Sequence, residues 1–197
     1  MGTRNLTAVY IDGEYKIAQY GQWDGYPEGQ GITCLEFLRD KMNEEVFKAA
    51  VRDCSYISKD ELNALWSKYT TSTDGWVTMD EADRFKAAYP ELSRDTGAKI
   101  LELVQNSGVR KLHSELEFAA DGLFCEWAWV IDFDKRTFEA YRGFCKDKPY
   151  PIDRFYFLKD KQEGEYSVVK ICASFSLDAL PSDRDFLAAF AVDEDDE

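Results

Sequence analysis

The sequence predicts an α+β fold whose mainly antiparallel sheet is built from N- and C-terminal strands, with a central helical insertion. Three observations predict it. Apolar residues alternate at the start of the chain and again after residue 126, helical periodicity fills the stretch between, and Ser/Thr caps, Gly and Pro punctuate the runs.

Residues 6–11 and 15–20 read as two strands joined at Asp12-Gly13, a dipeptide suited to a tight hairpin turn. In the first strand Leu6, Ala8 and Tyr10 face one way and Thr7, Val9 and Ile11 the other, so both faces are expected to be covered. Helices follow. Residues 32–41 place Leu35, Leu38 and Met42 on one side, and residues 44–53 place Phe47, Ala50, Val51 and Cys54 at helical spacing. Ser58 with Glu61 and Thr78 with Glu81 spell capping boxes, the second helix being stopped by Pro90. The stripes Leu62, Leu65, Trp66, Tyr69 and Ala82, Phe85, Tyr89 read as core packing. Ser93 or Asp95 is expected to cap a helix carrying Ile100, Leu101 and Val104.

The chain then turns β-rich. Residues 126–133 put Trp127, Trp129, Ile131 and Phe133 on one face, Asp134-Lys135-Arg136 makes a turn, and residues 137–141 return. Residues 154–158 read as a short strand, and residues 166–177 as a longer one burying Val169, Ile171, Ala173, Phe175 and Leu177. Ser182 with Asp185 opens a last helix bearing Phe186, Leu187 and Phe190. No internal repeat or linker interrupts the chain. Residues 1–192 therefore read as one domain, with the insertion at about 32–106, followed by an acidic tail, 193–197, expected to be disordered.

The 197 residues are 45% hydrophobic, 15% aromatic and 31% charged, a globular composition. No apolar run reaches the ~20 residues that cross a bilayer, and the N-terminus lacks a secretory pattern. The formal charge of −14 and pI near 4.6 disfavour nucleic acid, whose binding needs a positive face. Five scattered cysteines without a chelating pair read as reduced thiols of a cytoplasmic protein.

Among candidate sites the stretch 19–31, Gln-Tyr-Gly-Gln-Trp-Asp-Gly-Tyr-Pro-Glu-Gly-Gln-Gly, stands out. Its glycines serve backbone turns, but its aromatic and amide side chains exceed what a turn requires. If the hairpin forms, Arg4 lies beside Gln22, Trp23 and Asp24, and Arg94 heads a second polar group, Ser93-Arg94-Asp95-Thr96-Gly97. The expected ligand-binding set is therefore Arg4, Gln22, Trp23, Asp24, Tyr26 and Arg94. The alternative for the loop is a rigid scaffold pinned by burial of Trp23 and Tyr26. For the Arg94 group it is a helix cap with a surface ion pair.

Residues 70–81 fit part of a calcium loop, with Asp74, Gly75, Val77 and Glu81 at matching positions. Its first and third ligand positions, however, are the neutral Thr70 and Ser72, so a helix–turn–helix connection without metal is the better reading. His113 is the only histidine, no nucleophile elbow, phosphate loop or dinucleotide fingerprint occurs, and no cofactor is expected.

The words Gly2-Thr3-Arg4-Asn5-Leu6-Thr7 and Gln22-Trp23-Asp24-Gly25-Tyr26-Pro27 resemble a group of uncharacterised phage and bacterial proteins. The likeness continues through Leu92 to Gly97 and through Cys125-Glu126-Trp127 to Asp132. This resemblance implies a phage, or a host exposed to phage, and brings no activity with it. The expected function is a non-catalytic binding or interaction protein using loop 19–31 as its contact site. The alternatives are an N-terminal-nucleophile amide hydrolase, which would need trimming past Gly2 to Thr3, and a protein that holds a small anionic ligand through Arg4 or Arg94.

Overall fold

A five-stranded sheet in the order β2-β1-β5-β6-β7 organises the protein. The structure is a computed structural model that describes residues 2–71, 76–162 and 164–191. Strands β1 (Asn5–Ile11) and β2 (Glu14–Gly21) form the expected hairpin, with Asp12 at φ 53° and Gly13 at φ 80° in the turn. Two successive positive φ values suit the twist of the flanking strands, and glycine takes the second without a Cβ clash. β5 (Trp127–Asp132) joins β1 as the sheet's single parallel pair, while β6 (Thr137–Arg142) and β7 (Lys170–Ser176) continue it antiparallel. N- and C-terminal strands thus share one sheet.

Between β2 and β5 the chain is largely helical. A continuous run from Pro27 to Lys41, widened at both ends around α1 (Ile32–Glu36), leads to α2 (Glu44–Arg52). The short strand β3 (Ser55–Tyr56) pairs with β4 (Lys111–Leu112) in a separate two-stranded ribbon. α3 (Lys59–Trp66) and α4 (Met79–Ala88) each begin with the predicted capping box, and α5 (Ile100–Asn106) follows a single tight turn at Gly97–Lys99. α6 (Asp183–Ala188) starts at its Ser182 cap.

Both faces of the sheet are buried, as the two-sided apolar pattern of β1 requires. Val9, Ile11, Ile17, Trp129, Ile131 and Phe138 pack against residues of α1, α2, α5 and α6. On the other face Leu6, Ala8, Ala18, Val130 and Tyr141 lie under the tight helical turns Leu116–Ala120 and Tyr156–Lys161.

Four expectations need correction. Residues 154–158 are not a strand. The turn Tyr150–Asp153, whose Asp153 carboxylate accepts from the Tyr150 amide at 2.6 Å, leads the chain into the helical segment Tyr156–Lys161, and Phe155 buries against Tyr15 and Tyr141. The last strand begins at Lys170 rather than 166, and its Ile171 is 54% exposed. A bulge at Cys172, where Ala140 pairs with Ala173 and Tyr141 with Ile171, breaks the alternation that predicted burial. Neither Ser93 nor Asp95 caps α5. The Ser93 hydroxyl instead accepts from the Asp95 amide at 3.2 Å in a local turn. Finally, Trp23 and Tyr26 are not pinned by burial, being 48% and 39% exposed. Ser72, Asp74 and Gly75 of the calcium reading, and the acidic tail 193–197, lie outside the described residues.

Candidate functional site

The loop after β2 is fixed by its backbone, which leaves its side chains to face outward. The Gly25 amide donates to the Thr3 carbonyl at 2.9 Å, and the Gly25 carbonyl accepts from the buried Trp129 indole at 2.9 Å. Asn5 Nδ2 reaches the carbonyls of Gly21 and Trp23, at 3.1 and 3.3 Å. Gln30 ties the loop to the start of α5, donating to the Trp23 carbonyl at 3.2 Å and accepting from the Ala98 amide at 2.7 Å. Asp24 sits at φ 55°, a conformation that Asp tolerates better than most residues. A Cβ on Gly29 would lie 2.1 Å from the Asp24 carbonyl oxygen, so this close approach requires glycine.

On that frame the six sequence-derived site residues fall into three groups. Gln22, Trp23 and Arg94 come together. The Gln22 amide donates to the Arg94 carbonyl at 2.9 Å, and Gln22 Oε1 accepts from Arg94 Nη2 at 2.6 Å and from the Tyr20 hydroxyl at 2.7 Å. The Trp23 indole donates to Asp95 Oδ1 at 3.0 Å, and Asp95 Oδ2 pairs with Lys86 at 2.8 Å. That lysine is the main reason the Asp95 carboxyl titrates below its ordinary range. Asp24 and Tyr26 form a second group, the phenol donating to Asp24 Oδ1 at 3.2 Å, and the Asp24 charge raises the Tyr26 pKa. Arg4 turns elsewhere. Its guanidinium stacks 4.3 Å from the Phe124 ring centroid, with Nε 3.9 Å from Glu126.

Beside Trp23, across Asp95, opens a cleft of about 590 Å³. Trp66, Phe85 and Leu92 line it with Val77 and Met79, and Arg94, Asp95 and Lys86 also contribute to its lining. Trp66 stacks on Phe85 with centroids 3.7 Å apart. Met79 is 83% exposed at the start of α4. Sequence reasoning assigned Trp66 and Phe85 to helix packing and Val77 to the partial calcium loop, and missed the cleft. The available signal was Val77 and Met79, two apolar residues flanking the polar Thr78 cap.

A second polar cluster, also missed, is buried under the other sheet face. Arg154 Nε donates to Glu139 Oε2 at 2.7 Å and to the Tyr141 hydroxyl at 3.0 Å, and its Nη2 pairs with Asp132. Glu139 also accepts from the Tyr141 hydroxyl, at 2.5 Å to Oε2, and from the Thr137 hydroxyl, at 2.8 Å to Oε1. Burial pushes the Glu139 carboxyl up, but Arg154, Tyr141 and Thr137 outweigh it and hold the group below its ordinary value. Every polar contact here is internal, which suits a structural ion cluster.

Burial pushes the Cys34 thiol up to about 12 and the Cys54 thiol to about 11, which leaves both poor nucleophiles. Among the described residues no group of three His, Cys, Asp or Glu side chains is arranged to hold a metal ion. Both oxygens of Glu81 are engaged by donors, Oε1 by the amide and hydroxyl of Thr71 and Oε2 by those of Thr78. Compared with known protein families, with curated proteins and with solved structures, the chain finds no match in any of the three.

Proposed function

We propose that this is a non-catalytic protein-binding protein whose contact surface runs from Tyr26 and Trp23 across Asp95 and Arg94 into the cleft of Val77 and Met79. The observation that carries this is a solvent-facing tryptophan held in one orientation, its indole fixed to Asp95 at the rim of an apolar cleft. Exposed Trp, Tyr, Met and Arg in one neighbourhood have the composition of a binding hot spot, and a rigid anchor loses little side-chain entropy on association. We read the helices of residues 32–106 as an insertion into the sheet that supplies the cleft, and the protein as cytoplasmic and phage-related, binding neither nucleic acid nor membrane.

The test is quantitative affinity capture from a lysate of the source cell with four baits: wild type, Trp23→Ala, Met79→Glu, and Lys159→Ala as a control outside the surface. A partner retained by wild type and Lys159→Ala and lost by both other baits supports the proposal. A partner list common to all four baits refutes it.

A further inference from the structure

The two edges of the sheet differ in what covers them. Along β2 the Ala18 carbonyl accepts from the Glu115 amide at 2.8 Å and the Tyr15 carbonyl from the Tyr56 hydroxyl at 2.9 Å. β7 pairs with no strand but β6. The Leu177 amide donates to the Arg136 carbonyl at 3.0 Å. Antiparallel alternation from that bond turns the backbone groups of Ala173 and Phe175 toward β6 and those of Ser174 and Ser176 outward. The Ser176 carbonyl closes a turn with the Ala179 amide at 3.2 Å. The Ser174 amide and carbonyl and the Ser176 amide are left without a bond among the described residues. Such edges are ordinarily blunted by charge, proline or a bulge. β7 reads Lys-Ile-Cys-Ala-Ser-Phe-Ser, and its bulge at Cys172 leaves residues 173–176 regular, uncharged and free of proline.

The edge has unlike ends. At its start Arg142 and Lys170 line a groove of about 390 Å³ that no carboxylate lines, beside Phe144 and Ile171, which are 48% and 54% exposed. Lys170 pairs with Asp153, whereas Arg142 has no carboxylate within salt-bridge distance among the described residues. Just past its end stands Asp178, paired with Arg136 yet with its side chain 65% exposed. A second β7 laid antiparallel brings its Asp178 end to the Arg142 end of the first, and the reverse, whereas parallel pairing sets like ends together. Serines at the centre keep large side chains out of the meeting of the two backbones. Each chain carries −14, but repulsion between charges more than about 8 Å apart is screened at physiological ionic strength, so the groups at the contact decide.

We propose that two copies of this chain associate through their β7 edges, antiparallel about a two-fold axis near Ser174, joining two five-stranded sheets into one. The Ser174 amide of each copy donates to the Ser174 carbonyl of the other, which satisfies the open groups of both edges at once. Arg142 and Lys170 of each meet Asp178 of the other, and the contact covers Ile171. This edge shares no residue with the contact surface proposed above. An interface so narrow gives a reversible dimer, with Kd on the order of 10–100 µM.

Sedimentation velocity of the full chain at physiological ionic strength, from about 5 to 300 µM, brackets that range. The mass should rise with concentration from the 22.7 kDa of one chain toward twice that value. Ser174→Pro removes an outward donor and leaves the β6 bonds in place, so it should weaken the dimer about tenfold or more. Arg142→Glu should weaken it through repulsion from Asp178, and adding Asp178→Arg should restore it. Amide exchange at Ser174 and Ser176 should slow with concentration in the wild type, while β1 amides stay constant in every variant and report that the fold is kept. A mass of one chain throughout the range overturns the proposal. So does a dimer that both Ser174→Pro and Arg142→Glu leave intact, which would put the interface elsewhere, and so does Ser174 protection that does not depend on concentration.

Discussion

Arg154→Met would leave Glu139 and Asp132 buried with their shared cation gone, while keeping most of the side chain's volume. Removing one partner of a buried ion pair costs about 3–5 kcal/mol, against a total stability of roughly 5–15 kcal/mol. For a chain of this length that predicts a fall in Tm of roughly 6–20 °C. The pH dependence carries a sign of its own. In the wild type the folded Glu139 carboxyl lies below its ordinary value of 4.5, so its contribution is complete above that pH and is lost as pH falls through the folded value. Without Arg154 burial dominates and the folded pKa rises above the ordinary value, so acidification favours the variant. The gap between the two proteins should therefore narrow as pH drops toward about 4. Urea denaturation followed by tryptophan fluorescence, the buried Trp129 reporting on the core, measures both effects. A loss below about 1 kcal/mol at neutral pH, with no convergence in acid, would mean the cluster is screened by solvent and would refute the reasoning.

Trp129→Phe keeps an aromatic ring but removes the donor to the Gly25 carbonyl, and should cost about 1–3 kcal/mol with faster amide exchange at residues 22–26. Unaltered exchange there would show that the loop does not depend on that bond. In Glu81→Gln an NH₂ replaces one acceptor that serves Thr71 or Thr78, so exchange should accelerate through α3 and α4 and stay constant in the sheet. The Thr78 amide is the first of the donors that push the Glu81 carboxyl down to about 2. Its contribution is thus complete above the ordinary value of 4.5, and protection of the wild-type helical hairpin should persist until pH falls toward about 2.

Local rules carried far in this chain. Asp12-Gly13 specified its hairpin, Ser58 with Glu61 and Thr78 with Glu81 specified two helix starts, and the alternation of Trp127, Trp129 and Ile131 specified a core strand. What could not be read depends on distant partners. β1 and β5 pair in parallel across more than a hundred intervening residues, and no short-range pattern encodes that register. The alternation around Ile171 was misleading because one inserted residue, Cys172, inverts it. Likewise Asp132-to-Phe155 looked like ordinary surface and strand chemistry until the fold brought Arg154 between two carboxylates. At the candidate site the loop's composition marked Gln22 and Trp23. Their meeting with Arg94 and Asp95 follows from the Gln30 bridge to Ala98, a contact spanning 68 positions.

The most direct measurement is the Kd of a captured partner for wild type and for Trp23→Ala, taken with the melting temperature of each. A hot-spot tryptophan predicts about 2 kcal/mol or more of lost binding, roughly a thirtyfold weaker Kd, with the melting temperature nearly constant because the side chain is half exposed. An unchanged Kd would place the working surface elsewhere on the molecule and leave the loop as scaffold.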